Sequence, residues 1–119
     1  MVNLKPVIAK ALKEVKGVKN ICQEYPDDFS SMPTITYKEN ENSDTGNTIK
    51  EVISSFEYQV DIWKKGSTFD LAVQVDEKLS RMGFLRVSSN ELVDPGTGLN
   101  HRILRFRGKY DAIHERICQ

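Results

Sequence analysis

Cysteine is scarce: the 119-residue chain has two, Cys22 and Cys118, near opposite ends. They lack the short spacing that builds half of a zinc site, which excludes a structural metal of that kind, and two distant thiols make no disulfide framework. Both read as free thiols. Histidine is as rare, at 101 and 114, and neither stands in a nucleophile-elbow or triad pattern. Net charge of either sign is missing too, since 17 Lys and Arg balance 17 Asp and Glu. No global field then steers the protein to nucleic acid or an anionic membrane, and any basic site is a local patch. A net charge of zero also offers little resistance to self-association. Nothing approaches the roughly 18 to 20 apolar residues that span a bilayer. The first segment, MVNLKPVIAKALKEVKGVK, is punctuated by lysines where a secretory leader has an unbroken apolar run. The expectation is a protein made in the cytoplasm, with no membrane partner.

What is present suits a water-soluble fold: 39% of residues are hydrophobic and 29% charged, with a mean hydropathy of -0.47, above the floor expected of disordered chains. The length predicts one domain over residues 1–119. Such a chain buries roughly two-thirds of its unfolded surface, enough for one small core and too little for an enclosed cofactor cavity as well. No cofactor is expected, and a large enzyme site would have to be shared between subunits.

Apolar residues at Leu4, Val7, Ile8, Ala11, Leu12 and Val15 recur at three and four, the stripe of an amphipathic helix. Asn3 suits its N-cap, Pro6 its first turn and Gly17 its C-cap. A turn-rich passage leads to a strand over residues 33–38, where β-branched and aromatic residues cluster behind Pro33. Residues 39–48, ENENSDTGNT, have no apolar side chain and read as a mobile polar loop or long hairpin tip. From 49 to 63 the pattern alternates, with Phe56, Tyr58, Val60 and Ile62 on one face and Glu57, Gln59 and Asp61 on the other. Trp63 falls on the polar side, where an aromatic serves either as a cap on its own sheet edge or as a partner surface.

Gly66 ends that strand, and Ser67 or Thr68 caps a second helix whose stripe is Phe69, Ala72, Val73, Val75, Leu79 and Met82, closed by Gly83. A short strand at 84–87 is followed by turn residues at 88–90 and 94–98. The last strand, 99–110, sets Leu104, Phe106 and Tyr110 against His101, Ile103, Arg105, Arg107 and Lys109. Residues 111–119 read as a frayed tail or docking arm. The sum is an α+β fold in the order α-β-β-α-β-β, a largely antiparallel sheet of about four strands with helices packed on one face.

Catalytic patterns are thin. Cys118 and His114 are four residues apart, but a terminus is a poor place to hold atoms in catalytic register. Asp27 with Asp28, and Asp76 with Glu77, read as solvated acids. Gly96-Thr97-Gly98 lacks the Lys-Ser/Thr of a phosphate loop and leads into a strand, so it reads as a hairpin turn. The row Arg105, Arg107 and Lys109, with Arg102 on the opposite face and Arg86 nearby, is the one local charge feature. It reads as a solvated sheet face, a subunit-interface charge set or a nucleic-acid surface, in falling order, because no stacking aromatics interleave with it.

Three stretches carry a resemblance: FEYQVDIW at 56–63, VDEKLSRMGF at 75–84, and Asp94-Pro95 ahead of HRILRFRG at 101–108. Together they resemble the small tail-terminator, or tail-completion, proteins of tailed bacteriophages and related phage-derived particles, over roughly residues 33 to 110. The resemblance implies a non-enzymatic virion protein that closes as a homo-oligomeric ring, typically a hexamer, on the head-proximal end of a tail tube. There it stops tube growth and presents the head-side joining surface. Its implied partners are the tail tube protein, with a sheath protein and a head-completion protein beyond, and its implied location is the virion or tail-like particle after assembly in the host cytoplasm. A closing ring needs heterologous contacts. The candidate interface residues are therefore Asn42, Asp44 and Asn47 in the polar loop, Trp63 beside it, and Arg105, Arg107 and Lys109. The competing expectation is a small phage-encoded nucleic-acid-binding or interaction module using the basic strand face, though no sequence-specific nucleic-acid binding is expected.

Overall fold

A computed structural model describes residues 1–45 and 53–119 of the chain. Its elements are α1 (Lys5–Lys13), β1 (Asn20–Gln23), β2 (Thr34–Thr45), β3 (Ile53–Lys64), α2 (Phe69–Arg81), β4 (Leu85–Val93), β5 (Asn100–Asp111) and β6 (Arg116–Cys118). The sheet has six strands, ordered β1-β2-β3-β5-β4, with β6 also on β5. All pairings are antiparallel except β1 with β2.

This corrects the expected four strands and their order: two segments that look irregular in sequence are strands of their own, β1 and β6, and two more extend β2 and β4. Residues 20–23 pair in parallel with Thr34 to Tyr37. Residues 39–45 of the expected polar loop continue β2, with a bulge between Glu39 and Glu41; the remainder of that loop, residues 46–48, lies outside the described residues. The expected turn at 88–90 continues β4 past a bulge between Arg86 and Ser88. Pairing with β5 overrides the turn preference of Ser88, Ser89 and Asn90. The expected tail contains β6, laid against Lys109 to Asp111.

The alternation of β3 and β5 places Phe56, Tyr58, Val60, Ile62, Leu104 and Phe106 on one face, all buried. Both helices pack there, α1 through Ile8, Ala11 and Leu12 and α2 through Leu71, Ala72, Val75 and Leu79. The helices interlock where Gln74 accepts from the Lys16 N–H and donates to the Lys16 carbonyl. The α2 stripe differs from expectation. At roughly 100° per residue, Leu71, Ala72, Val75 and Leu79 share an arc about as wide as one helix face, and Phe69 and Val73 fall beyond it. Those two are exposed.

Tyr58 anchors the chain's first residues: its hydroxyl accepts from the Leu4 N–H at 3.2 Å and donates to Glu39 Oε1 at 3.0 Å. Burial, with Glu39 alongside, pushes the phenol up to about 12 from its usual 10. The neutral form is thus the one the fold prefers. Its stabilisation is intact below pH 10 and declines as pH rises toward 12. Spectrophotometric titration of the wild type against Tyr58→Phe should find the Tyr58 phenol ionising well above its usual value of 10. Tyr58→Phe, which orphans the buried Leu4 N–H, is expected to cost about 1–2 kcal/mol in urea unfolding.

Candidate functional site

The candidate residues fall into three places. Asn42 and Asp44 lie on the distal half of β2, on the helix-covered face, where they hold the first residues of the chain. The Asn42 amide donates to the Val2 carbonyl, and at 3.0 Å to Glu39 Oε1, while its oxygen accepts from the Val2 N–H at 3.4 Å. Asp44 pairs with the Met1 ammonium and accepts from Ser54 Oγ at 2.7 Å. The ammonium first, and Ser54 second, hold the Asp44 carboxyl below its ordinary value. Asn47 lies outside the described residues.

Trp63 is at the other end of the sheet, seven β3 residues from Phe56, the register partner of Asn42, or about 24 Å at the strand rise. It is buried, not a free surface. Its indole stacks on His101 with ring centres 3.6 Å apart and 15° between planes. It also receives the edges of Tyr25 and Phe29 from the 24–33 loop and donates from Nε1 to Thr36 Oγ1 at 3.2 Å. The sequence leaves open an edge cap or a partner surface; β3 is an interior strand, so Trp63 caps no edge and packs internally instead.

Arg105, Arg107 and Lys109 project from the face that the helices leave open, exposed at alternate positions of β5. Two-residue steps put the ends of this row about 14 Å apart. No ion pair engages any of the three among the described residues, although Glu57 and Gln59 are the β3 register partners of Arg107 and Arg105.

Two polar clusters escape the sequence reading. On the open face Asn40 donates to Glu57 Oε2 and to Gln59 Oε1, Gln59 donates to Asp61 Oδ1 at 2.9 Å, and Asp61 Oδ2 bonds His101 Nε2 at 2.8 Å. On the helix side Arg102 donates to Thr68 Oγ1 and Ser89 Oγ and lies 3.5 Å from Glu91, which also accepts from Thr68. The Trp63–His101 register pair and the β3 alternation put Asp61 and His101 on one face; their contact needs the β3–β5 pairing, which no local signal supplies. The Asp61–His101 pair resembles the base-and-orienter half of a triad, yet no hydroxyl or thiol bonds the ring among the described residues. Its surroundings are those of a packed structural pair.

His114 and Cys22 are also occupied. His114 Nδ1 bonds Asp111 Oδ2 at 2.7 Å, not Cys118, and this bond first of all holds the Asp111 carboxyl below its ordinary value. Burial pushes the Cys22 thiol up, beside Asp27, the opposite of what activates a nucleophile. Among the described residues no group of three His, Cys, Asp or Glu is placed to hold a metal. Among the described residues no helix is long and apolar enough to cross a membrane. The features left exposed are the basic row and the outer strand β4, with Leu85, Val87, Leu92 and Val93 in solvent.

No protein-family model matches this chain, and no curated protein matches it. Among solved structures it is similar to a chain in the virion of a native gene transfer agent (GTA) particle. The match has a TM-score of 0.54 and 10% identity over 93% of this chain and 84% of that one. At that identity the likeness is one of fold, spread over nearly the whole of both chains.

Proposed function

We propose that the protein is a structural component of a phage-like particle, and that it closes as a ring on the head-proximal end of a tail tube. The observation that carries this reading is the fold shared, over 93% of the chain, with a chain of a gene transfer agent virion. The tail-terminator resemblance of residues 33 to 110 points the same way and supplies the finer role. The role is non-enzymatic: the protein caps the tube, ends its growth and offers the joining surface to the head side, with the tail tube protein as its first partner. A hexamer is the expected ring, with sheath and head-completion proteins as further neighbours. The open sheet edges and exposed basic row give such a domain contacts on more than one side, as a closing heterologous assembly requires.

The test is mass by light scattering, for the protein alone and after mixing with assembled tubes of its own particle. A ring-sized species, or saturable binding confined to tube ends, is the expected result. A monomer indifferent to tubes would overturn the reading.

A second reading rests on the unpaired row Arg105, Arg107 and Lys109, a surface suited to nucleic-acid phosphates. It makes a different forecast: binding to DNA that weakens by orders of magnitude between 50 and 200 mM salt would need about six or more phosphate contacts. Three cations on one strand supply about half that. The triple replacement R105Q/R107Q/K109Q is therefore expected to abolish any weak DNA binding at low salt and to weaken ring formation and tube-end binding with it, folding staying intact by circular dichroism. Tube capping unchanged in that variant would take the basic row out of the ring contacts.

A further inference from the structure

The sheet ends on two open edges. On one side β4 is outermost for all nine residues. On the other, β1 covers only Thr34 to Tyr37 of β2, so residues 38–45 have no strand neighbour beyond them among the described residues. Open edges are normally blunted by charge, proline or shortness. β4 has two charged residues, Arg86 and Glu91, no proline, and a bulge. Its exposure runs from 37% at Val87 to 61% at Val93 among the apolar residues, and Phe69 and Val73 of α2 are 60% and 40% exposed beside it. These six are the majority of the ten exposed large hydrophobics among the described residues. Phe69 and Val73 also line a groove of about 300 Å³ between α2 and β4, together with Ala72, Arg86, Ser89 and Leu104. These exposed apolar residues border the edge strand from both sides: Leu85 and Leu92 stand opposite Arg107 and His101 on the open face, and Val93, Phe69 and Val73 lie on the helix side.

We propose that this flank receives residues 38–45 of a second copy of the chain, continuing the sheet from one copy into the next. This deepens the ring reading and rests on it. The lengths match, eight residues against nine. Successive antiparallel pairings from β2 through β3 and β5 to β4 make β2 and β4 run in opposite directions. Continuation of the sheet therefore gives an antiparallel contact, the more stable pairing. Charge agrees on the open face, where Glu41 of the incoming segment lies on the side of the unpaired Arg105 and Arg107 one strand behind β4; Glu39 and Asp44 face the helix side and are engaged within their own copy. Ser88 stands opposite Arg105. It is small enough for an arginine to reach over, and its Oγ is buried without a hydrogen-bond partner among the described residues. Because β1 occupies the base of the open edge of β2, the incoming copy must be displaced along the strands by about four residues, or roughly 13 Å. A ring whose strands are inclined to its axis absorbs such a stagger, as a closed barrel does.

The experiment is cross-strand disulfide capture with Cys22→Ser and Cys118→Ser as background. One sample carries Asn90→Cys and the other Glu41→Cys or Ser43→Cys, all on exposed strand positions of the open face. Mild oxidation of the mixture should give a linked pair, and Asn90→Cys mixed with Lys10→Cys on α1 should not. In parallel, the double variant Leu92→Lys, Val93→Lys should self-associate at least tenfold more weakly by light scattering with an unchanged circular dichroism spectrum. Undiminished association of that variant, or absence of the 90-to-41 and 90-to-43 links in assembled material, overturns the proposed edge while leaving a ring built otherwise. Wild-type protein that neither self-associates at millimolar concentration nor binds tube ends overturns both the edge and the ring.

Discussion

Trp63→Ala is expected to cost about 3–5 kcal/mol, the range for deleting a large aromatic from a packed site. The indole is the hub of the open-face cluster: His101 lies flat against it and Tyr25 and Phe29 meet it edge-on. Its removal leaves Thr36 Oγ1, on a buried residue, without its donor. It also uncovers the Asp61–His101 pair, whose side chains are 10% and 13% exposed. The 24–33 loop, which crosses this end of the sheet through those rings, should lose hydrogen-exchange protection first. Chemical denaturation read by tyrosine fluorescence gives the cost. Trp63→Phe keeps a ring in the stack and should lose about half as much, with self-association unchanged, because the side chain presents no surface to a partner. If Trp63→Phe abolished assembly at full stability, the residue would belong to an interface after all and its internal packing would be secondary.

That internal role shows what was legible in the sequence and what was not. The core faces of β3 and β5 follow from alternation alone, and so does the exposed row Arg105, Arg107, Lys109, because period two fixes the face wherever one side is apolar. The hairpin turn at 94–98 was legible from its residues: Asp94 accepts from the Thr97 N–H and hydroxyl, and the Gly98 N–H reaches the Asp94 carbonyl. Illegible were elements defined by their neighbours. NICQ at 20–23 is too short to show a period and is a strand because β2 lies beside it. Residues 39–45 have no apolar member, and their strand state comes from pairing with β3 and from Asn42 and Asp44 tying down residues some forty positions away. The burial of Trp63 likewise depends on rings more than thirty residues earlier in the chain. Phe69 and Val73 fooled the stripe because both are apolar on a helix edge, and their exposure is what marks the β4 flank.

Gly83→Ala should be comparably severe, and its reason is local to one contact. Gly83 follows Met82, the C-cap of α2, in a Schellman arrangement. The Phe84 N–H reaches the Leu79 carbonyl and the Gly83 N–H the Ser80 carbonyl, with Leu79 and Phe84 both in the core. The φ of Gly83 is +104°, and a Cβ there would stand 2.6 Å from the Ile117 carbonyl oxygen, a backbone atom of β6. The positive φ alone costs an L-residue about 1–2 kcal/mol. Displacing β6 adds an overpacking cost of about 1–3 kcal/mol. Gly66 isolates the first effect: its φ is +86° and nothing lies within 4 Å of its Cβ position. Gly66→Ala is therefore expected to lose only the conformational part, and the difference between the two variants reads the attachment of β6. In Gly83→Ala the amides of Lys109 to Asp111 and of Arg116 to Cys118, which pair across β5 and β6, should lose exchange protection while α2 keeps it. Equal stability losses at 66 and 83 would mean that β6 yields freely. Because β6 continues along β5 the outer edge that β4 begins, a freely yielding β6 would leave β4 alone to carry the contact with a second copy.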